Sequence, residues 1–176
     1  TPMNAVIGMT HLMLKTELNS KQRDYTRKIN SSATALLGIL NDILDFSKIE
    51  SGRMEMDSIP FDLEEVFGNL ASIMGPRTDE QGLDLTFIIH RDVPRLLVGD
   101  PLRLGQVLTN IVGNAVKFTE KGGISVRCRL DKIEDGKVHL SFIVIDTGIG
   151  MTDDQKDKLF SAFSQVDSSI TRCYGG

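Results

Sequence analysis

The 176-residue sequence predicts an α+β protein: an antiparallel helical hairpin, half of a dimeric four-helix bundle, followed by an α/β two-layer sandwich. The first observation is that residues 1–50 contain one proline, at position 2, and apolar residues at helical spacing. The second is that helical and strand-like patterns alternate from residue 60 onward, after the stretch ESGRMEMDSIP has interrupted the helical pattern. We therefore expect domains at residues 1–52 and 60–176, joined by a linker at residues 53–59.

The hairpin is predicted from two apolar helical stretches, MNAVIGMTHLMLKT and YTRKINSSATALLGILNDILDFSKIESG. The polar segment ELNSKQ connects them and supplies a serine as a helix cap. The apolar stripe of the second helix is too wide to be buried by one other helix. A homodimer would bury it in a four-helix bundle, and the alternative is that the hairpin packs on the rest of its own chain. The stripe consists of Ile29, Leu36, Leu40, Ile43 and Ser47, widened by Ile39, Leu44 and Phe46.

The second region begins with a helix in FDLEEVFGNLASIM, where Asp62 and Glu65 have the spacing of a capping box. The strand LDLTFII follows, and Asp100 with Pro101 marks the start of another helix. GISVRCRL alternates polar and apolar residues, as expected for a strand with one buried face. The strand KVHLSFIVIDTG contains an apolar run at residues 143–145, which is typical of a central strand covered on both faces.

The helix at residues 102–118 has two different faces. Its polar face contains three amides, where a solvated face would usually carry Lys and Glu. An Asn carbonyl oxygen is a suitable ligand for a magnesium ion that keeps its waters and phosphates, and Lys meets a phosphate as a point charge. We therefore expect the polar face to contact a ligand. It consists of Arg103, Gln106, Asn110, Asn114 and Lys117, and the core face consists of Leu104, Val107, Leu108, Ile111, Val112 and Ala115.

A second polar feature is IDTGIGM, where a buried strand is expected to end at Asp146 and two glycines, Gly148 and Gly150, follow. Glycine permits tight backbone conformations and the close approach of a ligand. A carboxylate at the end of a strand can accept a hydrogen bond from an exocyclic amine such as that of adenine. Taken alone, this motif is explained equally well by a plain turn.

In order and spacing, NIVGNAVKFT, DTGIGM, LFSAFSQVDSS and TRCYGG together resemble the N, G1 and F boxes and the opening of the G2 box of sensor histidine kinases. TPMNAVIGM resembles the residues that follow the phospho-accepting histidine in the H box of this family. The hairpin through DFSKIESG and the approach GDPLRLGQVLTN are also similar to this family, particularly to its hybrid kinases. The resemblance covers essentially the whole chain. It implies a dimerisation and histidine-phosphotransfer domain, followed by a catalytic ATP-binding domain of the GHKL type.

The resemblance also implies roles for individual residues. Asn114 would bind Mg²⁺, Asn110 would lie beside the phosphates of ATP, and Lys117 would support the phosphates. Asp146 would bind the adenine amino group, in a pocket shaped by its two glycines. Further implied site residues are Phe118 near the nucleotide, Phe160 and Phe163 at the lid over ATP, Arg172 at the γ-phosphate, Gly175 and Gly176 in the phosphate-binding G2 box, and Thr1, which would orient water for dephosphorylation of a response regulator.

The implied activity moves the γ-phosphoryl group of ATP to a histidine, and then to an aspartate on the receiver domain of a response regulator. In the family pattern His-Glu-x-x-Thr-Pro the phospho-accepting histidine precedes Thr1, and His11, His90 and His139 do not replace it. The G2 box would continue after Gly176. We therefore expect that this stretch of chain, taken by itself, is inactive in autophosphorylation.

Two other functions fit parts of the sequence. A GHKL ATPase resembling DNA gyrase or MutL would need a glutamate general base where Asn110 stands, and an amide cannot take a proton from water. The non-enzymatic alternative is a dimeric signalling scaffold that binds nucleotide weakly or not at all.

Composition narrows the classes of partner. The net charge of −4 and the absence of Trp disfavour a nucleic-acid binder. No apolar run has the length that a bilayer requires, so we expect no membrane contact by this segment, which leaves room for an inner-membrane parent protein. The two cysteines form no framework and predict a cytoplasmic location.

Overall fold

A computed structural model describes residues 2–158 of the chain. The chain divides into two compact units, Thr1–Glu55 and Met56–Gly176. The predicted α+β class is confirmed, because the first unit is helical and the second combines helices with a mixed sheet. Among the described residues, no helix has both the length and the apolar character needed to cross a bilayer.

The first unit is a hairpin of two helices, α1 (Pro2–Leu14) and α2 (Ser20–Glu50). The Asn19 side chain accepts a hydrogen bond from the Gln22 backbone N–H at 2.9 Å, and the Gln22 side chain accepts one from the Asn19 N–H at 3.1 Å. This capping box makes Asn19 the cap of α2 and Ser20 its first helical residue. The predicted serine cap is therefore wrong, because Asn19 has the partner three residues on that a capping box requires.

Small and polar side chains make the contact between α1 and α2. Thr10, Thr26 and Ala33 are buried there. Asn30 Nδ2 donates a hydrogen bond to Thr10 Oγ1 at 2.7 Å, and the Thr10 hydroxyl donates to the carbonyl oxygen of Ile7 at 2.9 Å. A continuous hydrogen-bond network therefore sets the register of the two helices.

The apolar stripe predicted on α2 lies outside this contact. Ile29 and Leu36 are 52% and 47% exposed, although α1 runs beside this part of α2. Met9 and Leu12 of α1 are exposed as well. At about 100° per residue, the stripe lies roughly a quarter turn around α2 from the residues that contact α1. The hairpin thus carries an uncovered apolar surface, and this surface is made by both of its helices.

The second unit contains two small sheets. Strand β1 (Ile59–Asp62) pairs antiparallel with β3 (Leu96–Gly99), and the sequence pattern predicts neither of these four-residue strands. The other sheet has the order β2-β4-β5, with β2 (Asp84–Ile89) parallel to β4 (Gly123–Glu134) and β5 (Lys137–Asp146) antiparallel to it. The helices of this unit are α3 (Leu63–Gln81), α4 (Pro101–Phe118) and α5 (Asp153–Lys158).

Helices α3 and α4 pack on the β2-β4-β5 sheet and form the core with it. Alternate residues of β4 are buried, as predicted, and Val126 and Cys128 have no exposed surface. Burial raises the pKa of the Cys128 thiol to about 11. The buried core of this unit consists of Leu63, Val66, Phe67, Leu70, Met74, Leu83, Val93, Leu108, Val112, Ala115, Val116, Ile124, Val126 and Cys128.

The central strand and the buried face of α4 differ from the prediction. Within residues 2–158, β4 rather than β5 is the central strand, and Ile145 on β5 is 44% exposed. The connection from β2 to β4, which includes α4, places β4 parallel to β2 and directly beside it. Because a hairpin joins β4 to β5, β5 then lies on the side of β4 away from β2. Val107 and Ile111 are predicted on the core face of α4, but they are 54% and 48% exposed. The apolar surface of α4 is therefore wider than the stripe that α3 and the sheet cover.

Helix α3 also continues seven residues beyond the predicted end at Met74, through Pro76. Met74 and Thr78 are both buried, and this packing holds the helix together across the proline. At its start Asp62 accepts from the Glu64 N–H at 2.8 Å, so Asp62 is the cap. The predicted capping box with Glu65 does not form among the described residues.

Candidate functional site

Helix α4 is anchored at its N-terminus by Asp100. One carboxylate oxygen accepts from the Arg103 N–H at 2.9 Å, and the other accepts from the Asp57 N–H at 3.1 Å. The hydrogen bond from Arg103, helped by that from Asp57, lowers the pKa of Asp100 below its ordinary value. A charged carboxylate at this end also interacts favourably with the helix dipole, so the start of α4 is well fixed.

The polar face of α4 divides into two parts. Arg103 Nη1 donates to Gln106 Oε1 at 2.8 Å, so these two side chains contact each other. Asn110 and Asn114 are exposed one turn apart, and neither amide is hydrogen-bonded to any of the described residues. Lys117 follows, with its Nζ 5.4 Å from the centre of the Phe118 ring. On this face, Asn110, Asn114 and Lys117 therefore have no hydrogen bond to another described side chain.

The turn that follows β5 lies against the end of α4. Gly148 N–H donates to Asp146 Oδ1 at 2.8 Å, which closes the turn on itself. Ile149 N–H donates to the Phe118 carbonyl oxygen at 3.2 Å. That carbonyl belongs to the last turn of α4, where helix geometry leaves it without a partner, so the turn satisfies it. Asp146 and Lys117 are thereby brought to the same corner of the unit.

The two glycines of the turn are required for different reasons. A Cβ at Gly148 would collide with the Phe118 carbonyl oxygen and lie 2.8 Å from Asp146 Oδ1. Gly150 has open space around it but a φ of +67°, in the left-handed region that favours glycine. Gly148 therefore permits the close contact between the turn and α4, and Gly150 permits the direction in which the chain leaves it.

The arrangement fits a magnesium nucleotide better than a free metal ion. Residues 2–158 contain no cluster of three or more His, Cys, Asp or Glu side chains that could hold a metal. Magnesium bound with a nucleotide needs only one or two protein ligands, since phosphates and waters fill the other positions. An exposed amide oxygen such as that of Asn114 is chemically suited to be such a ligand, and Asp146 retains an oxygen that Gly148 does not use.

Several predicted site residues fall outside the part of the chain that the structure describes. Thr1, Phe160, Phe163, Arg172, Gly175 and Gly176 lie outside the described residues. Sequence reasoning also missed Thr147, which lies between Asp146 and Gly148 and joins the turn to the start of β4 through its hydroxyl. The sequence gives no signal for this contact, because the partners of Thr147 are about 25 residues away along the chain.

Two family models match this chain, one in each of its two regions. A family model described as "His Kinase A (phospho-acceptor) domain" matches residues 1–52. Another, described as "Histidine kinase-, DNA gyrase B-, and HSP90-like ATPase", matches residues 99–176. Together the two matches include well over half of the chain.

Curated relatives match over the full 176 residues. The chain is 47% identical to the sensor histidine kinase GacS of Pseudomonas protegens and 46% identical to the signal transduction histidine-protein kinase BarA of Escherichia coli K12. It spans 19% of the length of each of these proteins. Among solved structures, ShkA full-length in complex with AMPPNP is 35% identical with a TM-score of 0.73, over 97% of this chain and 36% of that one.

Proposed function

The chain belongs to the sensor histidine kinase family, with a phospho-acceptor type region followed by a GHKL-type ATPase region, and from this we propose that it is the catalytic core of an ATP-dependent protein-histidine kinase. In this proposal Mg-ATP binds to the second unit, the γ-phosphoryl group passes to a histidine, and a response-regulator receiver domain then accepts it. We place this core in the cytoplasm. The domain boundaries we propose are residues 1–52 and 60–176, with a linker between them.

One observation carries the nucleotide site: the amides of Asn110 and Asn114, which have no hydrogen bond within residues 2–158, lie on the same helix whose end contacts the Asp146 turn. ShkA, which is similar in fold and sequence, was crystallised with AMPPNP, and this supports a nucleotide here. The base would be bound by Asp146, and the phosphates would extend along α4 toward Asn114, the proposed Mg²⁺ ligand. A bound magnesium ion would supply charge neutralisation for phosphoryl transfer.

In this proposal, the residues of the site position the phosphates and the base of the nucleotide. Asn110 and Asn114 are one turn apart, about 6 Å along the helix axis, a spacing that suits neighbouring phosphate groups. Lys117 adds a positive charge, whose Nζ lies 5.4 Å from the centre of the Phe118 ring. Asp146 accepts a hydrogen bond from the adenine amine with the oxygen that the turn leaves free. An ATPase is disfavoured, because Asn110 cannot act as a general base for water.

We propose that the first unit is a dimerisation hairpin. Its internal contact uses Thr10, Thr26 and Ala33, whereas the apolar stripe that includes Ile29 and Leu36 remains uncovered. Large exposed apolar surfaces on a helix pair are covered in a four-helix bundle, which two hairpins form together. The alternative cover is the rest of the same chain.

Replacing Leu36 by glutamate is expected to weaken the dimer of the full-length protein, because a charge would be placed in an apolar interface. We expect the dissociation constant to rise roughly 100-fold, measured by sedimentation equilibrium. Ser31→Glu is the matched control, since Ser31 is exposed on the opposite side of the same helix. Equal dissociation constants for the wild type and Leu36→Glu would exclude this surface as the dimer interface.

Replacing Asn114 by alanine is expected to reduce phosphorylation of the full-length protein by γ-labelled ATP at least tenfold, because a proposed Mg²⁺ ligand is lost. The wild-type label should be stable to alkali and labile to acid, as a phosphohistidine is. Asn69→Ala provides the control, since Asn69 is an exposed amide on α3.

The outcomes separate the competing functions. A wild-type protein that binds ATP, releases inorganic phosphate and carries no label would be an ATPase. A folded dimer that neither binds ATP nor acquires label would be a scaffold, and either result would refute the kinase proposal. Equal labelling of wild type and Asn114→Ala would refute only the role of Asn114.

A further inference from the structure

The hydroxyl of Thr147 connects two parts of the second unit that are distant in sequence. It donates a hydrogen bond to the Lys121 carbonyl oxygen at 2.9 Å, and it accepts one from the Gly123 N–H at 3.1 Å. A hydroxyl is able to do both at once, since it has one donor and two acceptor positions. Thr147 therefore holds the turn after β5 against the connection between α4 and β4.

The connection is shaped to receive this hydroxyl. Gly122, between the two bonded residues, has a φ of +100°, and a Cβ there would collide with Thr147 Oγ1. The Gly122 carbonyl oxygen accepts from the Asp84 N–H at 3.0 Å, which fixes the connection to the start of β2. The partner of Thr147 is thus a piece of backbone that is itself hydrogen-bonded to β2.

The turn is held at a second point, on the end of α4. Ile149 N–H donates to the Phe118 carbonyl oxygen at 3.2 Å, at the end of α4. Asp146 and Gly148 flank Thr147, so the residue proposed to bind the base lies beside the link. The two attachments together determine where the Asp146 carboxylate lies relative to Asn114 and Lys117.

On the basis of the proposed nucleotide site, we propose that Thr147 is a positioning residue that sets the preference of the site for adenine. It does so by fixing the turn that carries Asp146 to the α4–β4 connection, without contacting the nucleotide itself. Adenine presents an amine to the Asp146 carboxylate, whereas guanine presents a carbonyl oxygen at the same place. Accurate placement of the carboxylate therefore improves ATP binding and not GTP binding.

The bonds of Thr147 are solvent-exposed, so water can replace them when the hydroxyl is removed. The loss should therefore affect the position of the turn more than the stability of the fold. This separates a positioning role from a merely structural one, because a general loss of stability would weaken ATP and GTP binding alike.

The test compares Thr147→Val, which keeps the shape and removes the hydroxyl, with Thr147→Ser, which keeps the hydroxyl. Dissociation constants of ATP and GTP are measured by calorimetry on the full-length protein, together with the melting temperature. For Thr147→Val we expect about tenfold weaker ATP binding with GTP binding unchanged, and for Thr147→Ser we expect the wild-type ratio within about twofold. Thr147→Ala provides a second variant without the hydroxyl if valine fits poorly.

An unchanged ratio of ATP to GTP affinity in Thr147→Val and Thr147→Ala would overturn the inference. If Thr147→Ser lowered the ratio of ATP to GTP affinity as much as Thr147→Val does, the inference would also be overturned, because loss of the hydroxyl would then not be the cause. A wild-type protein that fails to bind ATP would refute the proposed function itself, and that result is seen before any variant is compared.

Discussion

Gly148→Ala is expected to lower the phosphorylation of the full-length protein by about 100-fold, because it displaces the turn that carries Asp146. The added Cβ would collide with the Phe118 carbonyl oxygen and come within 3.0 Å of the carbonyl carbon. Both are backbone atoms of the last residue of α4, so they cannot yield as the end of a flexible side chain would. The turn has to move instead, and the hydrogen bond from Ile149 N–H to Phe118 is lost with it.

The measurements are the rate of labelling by γ-labelled ATP and the dissociation constant of ATP, which should rise about 10- to 100-fold as the Asp146 hydrogen bond is lost. Gly68→Ala is the control: Gly68 is an exposed residue of α3 with open space around it, so alanine should stabilise the helix by about 0.5–1 kcal/mol. Wild-type ATP affinity in Gly148→Ala would show that the close contact at Phe118 has no part in nucleotide binding.

Phe67→Ala is expected to cost about 3–5 kcal/mol of unfolding free energy, because it removes a large buried side chain from the core and leaves a cavity. Phe67 is 4% exposed, and its ring centre lies 5.6 Å from that of Phe87 and 6.2 Å from that of Phe142. One side chain on α3 thus contacts aromatic residues of both outer strands of the β2-β4-β5 sheet. Since small domains have only about 5–15 kcal/mol of stability, this change would remove a substantial fraction of the stability of the second unit.

Urea unfolding of the second unit measures this cost, and a lower midpoint with an unchanged slope would identify a loss of stability. Leu96→Ala is the control, because Leu96 is 75% exposed and its truncation should change stability by less than about 0.5 kcal/mol. Similar unfolding free energies for Phe67→Ala and the wild type would mean that the aromatic contacts contribute little to the core.

The sequence predicted the elements whose patterns are long and regular. The alternation in β4 correctly identified Ile124, Val126 and Cys128 as buried, because a strand with one covered face has a strict period of two. The strands β1 and β3 were missed, since each has only four residues and depends on the other for its hydrogen bonds. The exposure of Val107 could not be predicted either, because sequence periodicity indicates an apolar face but not the width that neighbouring elements cover.

The residues of the candidate site could be predicted from the sequence, but the contacts that hold them in place could not. Two amides one turn apart on α4 and an Asp-x-Gly-x-Gly turn are local patterns that can be read from the sequence. That the turn is attached to the end of α4 depends on hydrogen bonds between residues about 25 to 30 positions apart, such as Ile149 with Phe118. The reason why Gly148 must be glycine is likewise a tertiary contact, so it has no signal in the local sequence.

The bond between Asn30 and Thr10 determines how the helical hairpin responds to an axial force. Sliding α1 by one turn along α2 would move Thr10 by about 5.4 Å and separate it from the Asn30 amide. Leaving a polar group in the contact without its partner costs about 1–3 kcal/mol, and the side chains one turn from Thr10 (Val6, Ile7, Met13 and Leu14) have no hydroxyl that could replace it. We therefore expect the two helices to move together, so that an axial displacement of one helix is transmitted to the other.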